Sequence, residues 1–415
     1  MVMRFYNRLF IIKLGGISKW RLMEVNMNNA LIEGNYKWDK IKQLDEVGDL
    51  LDLDNLDKNR KDILEQYYSI LNNMKNVYIF GAKSLGIKVL KLLRYINIEP
   101  IGFIDNNTKL QGNYVEGKIV LSLKDIDKDE DSIIIVASIF YMNEIISQLK
   151  ENEYKNVIPY PILSLWNENN FPEHFTMENL YMDLIENKNK YEELIYLLED
   201  EESKFILKNI IKFRKTLNFK YMDLCYDGKN TQYFDKNIIT LNENDVFVDG
   251  GAFNGDSTLN YIYQSNNKYK KIYLFEPDKE LIEASKRNLS CYKNISYNCM
   301  GLYKKNAFCN FNITGGLDGA INSEGDTKIK VVSLDSYIKE PITFLKLDIE
   351  GMEVEAINGA RKHIELYKPI LAISVYHYSS HIWKIPELIK SINSGYKFYL
   401  RHYTRNSADT VLYCI

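Results

Sequence analysis

The sequence predicts an α/β protein with two parallel-sheet modules, each preceded by helices, the second sheet closing with an antiparallel hairpin. Three observations predict it. Short apolar runs ending in glycine or an acid alternate, twice along the chain, with stretches of helical spacing, as expected of β-α-β units with buried parallel strands. A polar helical stretch precedes each series. The last two apolar runs flank a short turn, which reads as a hairpin.

Taken in order, residues 1–75 read as a helical N-terminal segment. Leu50, Leu51, Leu53, Leu56, Ile63, Leu64, Tyr67, Ile70 and Leu71 recur there at helical intervals. Residues 76–160 form the first α/β module, with strands over 76–81, 100–105 and 132–137 and a helix over 84–93. Residues 161–235 are a helical lead-in that loosely echoes the first preface. Residues 236–415 carry the second series, with strands over 246–249, 271–276, 295–297, 344–348, 370–376, 396–403 and 409–414. Residues 306–334, with Gly315, Gly316, Gly319 and Gly325, read as an inserted loop or hairpin.

Composition narrows the function. The 415 residues suffice for two to three domains, and 46% hydrophobic with 26% charged residues is ordinary globular usage. Lys+Arg 53 against Asp+Glu 56 leaves a net charge of -3, with no basic excess to neutralise phosphates, so nucleic acid is not the expected partner. No apolar stretch reaches the ~18 residues of a membrane span, and the run Leu9–Ile12 stops at Lys13 without a cleavage site. The five cysteines are scattered without C-x-x-C spacing. Reduced thiols in a cytoplasm are expected, with no disulfide framework and no zinc site.

The strongest chemical signal is V-F-V-D-G-G-A-F-N-G-D-S-T, Val246 to Thr258, at a strand-to-helix turn. Its spacing, Asp249-x-Gly251-x-x-x-Gly255 followed by Asp256, is not the G-x-G-x-x-G of a dinucleotide fold. The glycines let backbone pass close to a ligand. An acid at that strand end repels a pyrophosphate but can receive the ammonium of an amino-acid moiety. Glu276 ends the next strand, 27 residues after Asp249, where a carboxylate can accept both ribose hydroxyls or cap a helix. In L-K-L-D-I-E-G-M-E, Asp348 ends a buried strand at the ligand edge, and Glu350 follows as acceptor ligand, cation ligand or helix cap. His377 follows a strand, His402 ends the penultimate one, and both can exchange protons near neutral pH. His174 and His363 read as surface residues, and His381 is ambiguous.

These segments, with Gln232-Tyr233-Phe234, Y-L-F-E-P-D, V-S-L-D-S-Y, A-I-S-V-Y-H and Y-L-R-H-Y ending in D-T-V-L-Y, stand in the order of a known family. Residues from about 232 to 415 resemble the FkbM-type S-adenosylmethionine-dependent methyltransferases. The resemblance implies a class I methyltransferase-type sheet, S-adenosyl-L-methionine as cofactor, and O-methylation of a sugar, glycan precursor or related metabolite. It also implies that Asp249, Gly251 and Gly255 line the methionine part, that Glu276 holds the ribose, and that Asp348 faces the transferred methyl. Asp348 and His377 are then the candidate catalytic residues, with Glu350 orienting the acceptor.

The first module looks like the Rossmann-like domain found beside sugar-modifying transferases. It has Gly81-x-x-x-x-Gly86 without a middle glycine, and Asp105 24 residues after Gly81. A nucleotide or nucleotide-sugar role and a purely structural role both remain open, and an NAD-dependent sugar-modifying oxidoreductase is the alternative reading of the whole chain.

Overall fold

The computed structural model describes residues 53–73, 75–126, 131–139, 141–166, 179–226, 228, 231–311 and 327–415. His174, the four glycines expected in the insert and most of the helical N-terminal segment lie outside these. The chain falls into two compact units: Asp227–Ile373 with Tyr413–Ile415, and the described residues up to Tyr226 with Ser374–Leu412.

The first sheet contains β1 (Val77–Phe80), β2 (Gly102–Ile104), β3 (Tyr114–Val115), β4 (Lys118–Leu121), β5 (Ile133–Val136) and β6 (Asn156–Pro159), in the order β3-β4-β2-β1-β5-β6. All neighbours are parallel except β3 and β4. The all-apolar β5, Ile-Ile-Ile-Val, is buried throughout, as a strand covered on both faces must be. Strands β3, β4 and β6 add to the three expected from sequence. The first two are only two and four residues long, and β6 ends in proline, so none gives a long apolar run.

The expected helical lead-in is present as helices Tyr160–Trp166, Leu180–Glu186, Lys188–Leu197, Glu201–Thr216 and Lys220–Cys225. Asp200 caps the longest by accepting from the Ser203 N–H at 2.8 Å. In the same unit Asp183 and Arg214 are a buried ion pair at 3.3 Å. Tyr191 bridges them through its hydroxyl, and burial pushes that phenol's pKa far up. Arg214 also donates to the Ser379 carbonyl at 2.9 Å, and the Trp383 indole N–H to Asp183 at 3.1 Å. Every charge in this cluster has a partner, the condition for tolerating buried ions.

The second series supplies β7 (Val246–Gly250), β8 (Lys271–Phe275), β9 (Ile295–Asn298), β10 (Gly301–Leu302), β11 (Ala307–Phe311), β12 (Thr327–Val332), β13 (Phe344–Leu347), β14 (Ile370–Ser374), β15 (Phe398–His402) and β16 (Thr410–Cys414). Seven of them form a sheet in the order β15-β16-β14-β13-β7-β8-β9, ending in the antiparallel hairpin read from sequence. The segment read as a loop or hairpin gives β11 and β12, an antiparallel pair that β10 completes as a separate three-stranded sheet. Under β7 and β13, Phe234, Phe247, Tyr261 and Phe344 pack ring on ring, the closest pair stacked at 4.2 Å. Such rings bury large apolar areas and fix the strands that carry the site.

Candidate active site

The register of β7 with its two neighbours builds the site. Asp249 pairs with Lys346 on β13 and with Leu274 on β8, so the carboxyl ends of three parallel strands lie side by side. Ligands of open parallel sheets bind at that edge. Gly251 turns the chain with φ +74, and a Cβ there would fall 1.9 Å from the Asp348 carbonyl oxygen. No other residue fits so close an approach. Gly255, also left-handed, precedes helix Asp256–Gln264. Asp256 opens that helix and accepts from the Ser257 N–H at 2.7 Å, where the helix dipole favours an acid.

Asp249 is fully buried. Its Oδ2 accepts from the Ser257 and Thr258 hydroxyls, each at 2.7 Å, and its Oδ1 pairs with Lys346 Nζ at 3.0 Å. In this structure the Asp249 carboxylate points into the turn and braces it. Lys346, which the sequence reading passed over, is the other half of that brace. It is 1% exposed and donates to the carbonyls of Gly250 at 3.1 Å and Gly251 at 2.9 Å. Its signal was a lone lysine inside the otherwise apolar run Phe344–Leu347.

Glu276 stands just beyond β8, buried, with its carboxylate accepting from the N–H groups of Phe253 and Asp278 at 3.0 Å each. Burial pushes its pKa up to about 7, against the two backbone donors that pull it down and with the Asp278 charge adding to the rise. The helix-cap alternative belongs to Asp278, whose Oδ1 accepts from the N–H groups of Glu280 and Leu281. Each Glu276 oxygen keeps a second acceptor position for a ligand hydroxyl.

Asp348 is half-buried, one residue beyond β13. Its N–H donates to Gly250 at 3.1 Å, and its Oδ2 accepts from the Tyr233 hydroxyl at 2.8 Å. Glu350 and Gly351 both have positive φ. The helix that follows has Met352, not Glu350, at its N-cap position. Buried Glu353 accepts from the N–H groups of Ile349 at 2.9 Å and Gly351 at 3.4 Å, and Met352 begins the helix without a side-chain cap.

His377 follows β14, which runs parallel to β13 with Leu347 opposite Ile373. It is fully buried, its ring against Tyr376 at 4.2 Å. Tyr376 lines a shallow pocket with Phe213, Arg214, Met222 and Ser407. His402 Nδ1 lies 2.9 Å from the Thr410 hydroxyl. His363 is corrected from surface to buried: it sits on the inner face of its helix, Nε2 3.2 Å from the Ile338 carbonyl. His381 is also buried, its ring 5.0 Å from that of Tyr378.

A parallel sheet closed by an antiparallel hairpin, a glycine turn after β7 and an acid after β8 together define a class I methyltransferase module. The comparisons with known proteins agree. Residues 249–401 match the model described as the methyltransferase FkbM domain, and residues 73–158 match one described as C2185-like, N-terminal. Over residues 249–401 the chain is thus similar to the FkbM methyltransferase domain, whose class I methyltransferase-type fold takes S-adenosyl-L-methionine as cofactor. The crystal structure of methyltransferase FkbM from Methylobacillus flagellatus KT is similar over 93% of this chain and 100% of that one, with 21% identity and a TM-score of 0.70. An rRNA methylase from Streptococcus thermophilus aligns with 42% of this chain and 87% of its own, with 18% identity and a TM-score of 0.29. A comparison with curated proteins finds no match. Nothing found supports the oxidoreductase alternative. Among the described residues no helix is long and apolar enough to cross a membrane.

Proposed function

We propose that the protein O-methylates a hydroxyl of a sugar, glycan precursor or related metabolite, in the cytoplasm. The observation that carries this reading is the convergence, on one sheet edge, of a ribose-type acid, Glu276, with a second carboxylate, Asp348, positioned beyond the glycine turn. The residues fit the cofactor: Glu276 is buried yet retains acceptor capacity, and Gly251 keeps the turn clear of side chain. When bound, S-adenosyl-L-methionine supplies an electrophilic methyl on a neutral thioether leaving group. The protein's task is to align an acceptor oxygen with that methyl and to take up its proton. In this reading Glu276 binds the ribose hydroxyls and the turn at Gly251 and Gly255 carries the methionine part. Asp348 and His377 receive the acceptor's proton, and Glu350 orients the acceptor. The first module, with its incomplete glycine pattern, serves as scaffold.

The test is incubation of the full chain with methyl-labelled S-adenosylmethionine and a small-molecule extract of the source cells, followed by identification of the labelled product. A labelled hydroxyl-bearing metabolite is expected. Label on nitrogen, on carbon or on protein would overturn the O-methylation reading. Calorimetry should show binding of S-adenosylhomocysteine and little binding of NAD.

A further inference from the structure

We propose that Tyr233 is a positioning residue for methyl transfer, its hydroxyl holding Asp348 in the orientation from which it meets the acceptor. The proposal rests on the reading of Asp348 as an acceptor-side group.

Three observations converge on Tyr233. Its φ is +70, a left-handed conformation in which a bulky aromatic residue is an outlier. Strain of that kind persists where surrounding contacts over-determine it, and such residues cluster at functional sites. Tyr233 is 5% exposed, and its hydroxyl reaches the site. The hydroxyl lies 2.8 Å from Asp348 Oδ2 and 3.1 Å from Gln232 Nε2. An amide nitrogen only donates and a phenol has one proton, so Gln232 leaves that proton directed at the carboxylate.

The third observation is Lys346. Its Nζ lies 5.1 Å from the centre of the Tyr233 ring, within cation–π range. The same ammonium holds the Gly250 and Gly251 carbonyls and the Asp249 carboxylate. One buried cation thus fixes both the glycine turn and the ring whose hydroxyl fixes Asp348. Holding Oδ2 sets the plane of the carboxylate and therefore the direction of Oδ1. A misplacement of about 1 Å in such a group can lower a rate ~10²-fold without touching ligand affinity.

Tyr233→Phe keeps the ring and removes only the donor. The assay is labelled-methyl transfer by the full chain with the small-molecule extract as acceptor source, with S-adenosylhomocysteine affinity measured by calorimetry. Turnover should fall about 10- to 100-fold while that affinity stays within about threefold. If Tyr233 acts through Asp348, Tyr233→Phe with Asp348→Asn should be no slower than Asp348→Asn alone. Turnover of Tyr233→Phe near the wild-type value, or a double variant in which the two losses multiply, overturns the proposal. So does an unfolded or non-binding Tyr233→Phe, because the hydroxyl would then support the core or the turn. Wild-type protein that binds S-adenosylhomocysteine but labels nothing removes the function reading itself, and the proposal with it.

Discussion

Gly81 and Gly251 occupy the same place in two different sheets. Each follows its sheet's β1 or β7 and has a positive φ, +112 and +74. Each N–H donates to the last carbonyl of the next strand, Ile104 at 2.7 Å and Phe275 at 3.0 Å. A Cβ on either would meet a carbonyl oxygen, that of Ala137 at 2.8 Å or Asp348 at 1.9 Å. Each turn also gives a backbone N–H to an acid after that next strand: Ala82 to Asp105, Phe253 to Glu276. The backbones are the same device. The side chains are not. Where β7 and β13 oppose Asp249 and Lys346, β1 and β5 oppose Ile79 and Ile135. Ala137 stands where Asp348 stands, each donating its N–H to the last residue of the central strand. A glycine turn is what a parallel sheet needs to pass into a helix. A site is what three side chains add to it, which is why fold alone does not carry function.

The contrast breaks first at Asp348. Asp348→Asn should lower turnover by about 10²- to 10⁴-fold, the usual contribution of a positioned acid–base group, with cofactor affinity changed less than tenfold. Ala137→Asp in the first turn should leave turnover unchanged. Steady-state rates with labelled cofactor decide it, and an Asp348→Asn enzyme of normal rate would move the acceptor chemistry to His377.

The ion pair beneath the turn should come next. Lys346→Met leaves Asp249 buried without its cation, a change that costs about 3–5 kcal/mol. Copying the apolar pair of the first sheet, Lys346→Met with Asp249→Val, should recover much of that loss and still leave cofactor binding weak. Chemical denaturation measures the first effect and calorimetry the second. A neutral Lys346→Met would mean that the pair does not distinguish the two turns.

Most of the second sheet was legible in its sequence, because parallel strands buried on both faces appear as apolar runs: β7, β8, β13 and β14 were found within a few residues. Asp249, Glu276 and Asp348 stood out for the same reason, each standing where a run stops. Lys346 was not, since period and hydropathy treat a lysine within a strand as a break; only the register that sets it opposite Asp249 gives it a partner. Tyr233 was quoted within a motif, but its task depends on a bond across 115 positions of sequence. Glu353 stood in sequence only as the last residue of a quoted motif, and only the folded loop shows its carboxylate gathering backbone N–H groups.

Glu276 sharpens the comparison through pH. Its pKa is pushed up from 4.5 to about 7, mainly by burial. For a group with a raised folded-state pKa, the stability contribution is full below the unfolded value and is lost as pH rises through the folded one. The unliganded protein should therefore lose on the order of 1–3 kcal/mol from this group between about pH 5 and pH 8. Glu276→Gln should lack that slope and be the more stable protein at pH 8. Binding goes the other way. Ribose hydroxyls donate to the ionised carboxylate, so S-adenosylhomocysteine affinity should rise with pH through about 7 in the wild type. In Glu276→Gln it should be flat and about tenfold weaker at pH 8, the size of one lost charge-assisted hydrogen bond. Thermal melts and calorimetry across that range test both signs.

The smallest effect should come from the acid in the other turn. Asp105 is half-buried; its Oδ2 accepts from the Ala82 N–H at 2.9 Å and its Oδ1 from the Asn107 N–H at 2.8 Å. Asp105→Asn keeps one acceptor oxygen and turns an amide N–H₂ toward the other donor, so it should cost about 1 kcal/mol of stability, the worth of one ordinary hydrogen bond. In that turn β5 brings Ile135 and Ala137 where β13 brings Lys346 and Asp348. Cofactor affinity and methyl transfer by Asp105→Asn should therefore equal those of the wild type within a factor of about two. A tenfold drop in either, with the melting temperature little changed, would show that the first turn also serves the reaction. The shared backbone would then be evidence of shared work, and Asp105 would have to be tested against nucleotides and nucleotide-sugars by calorimetry.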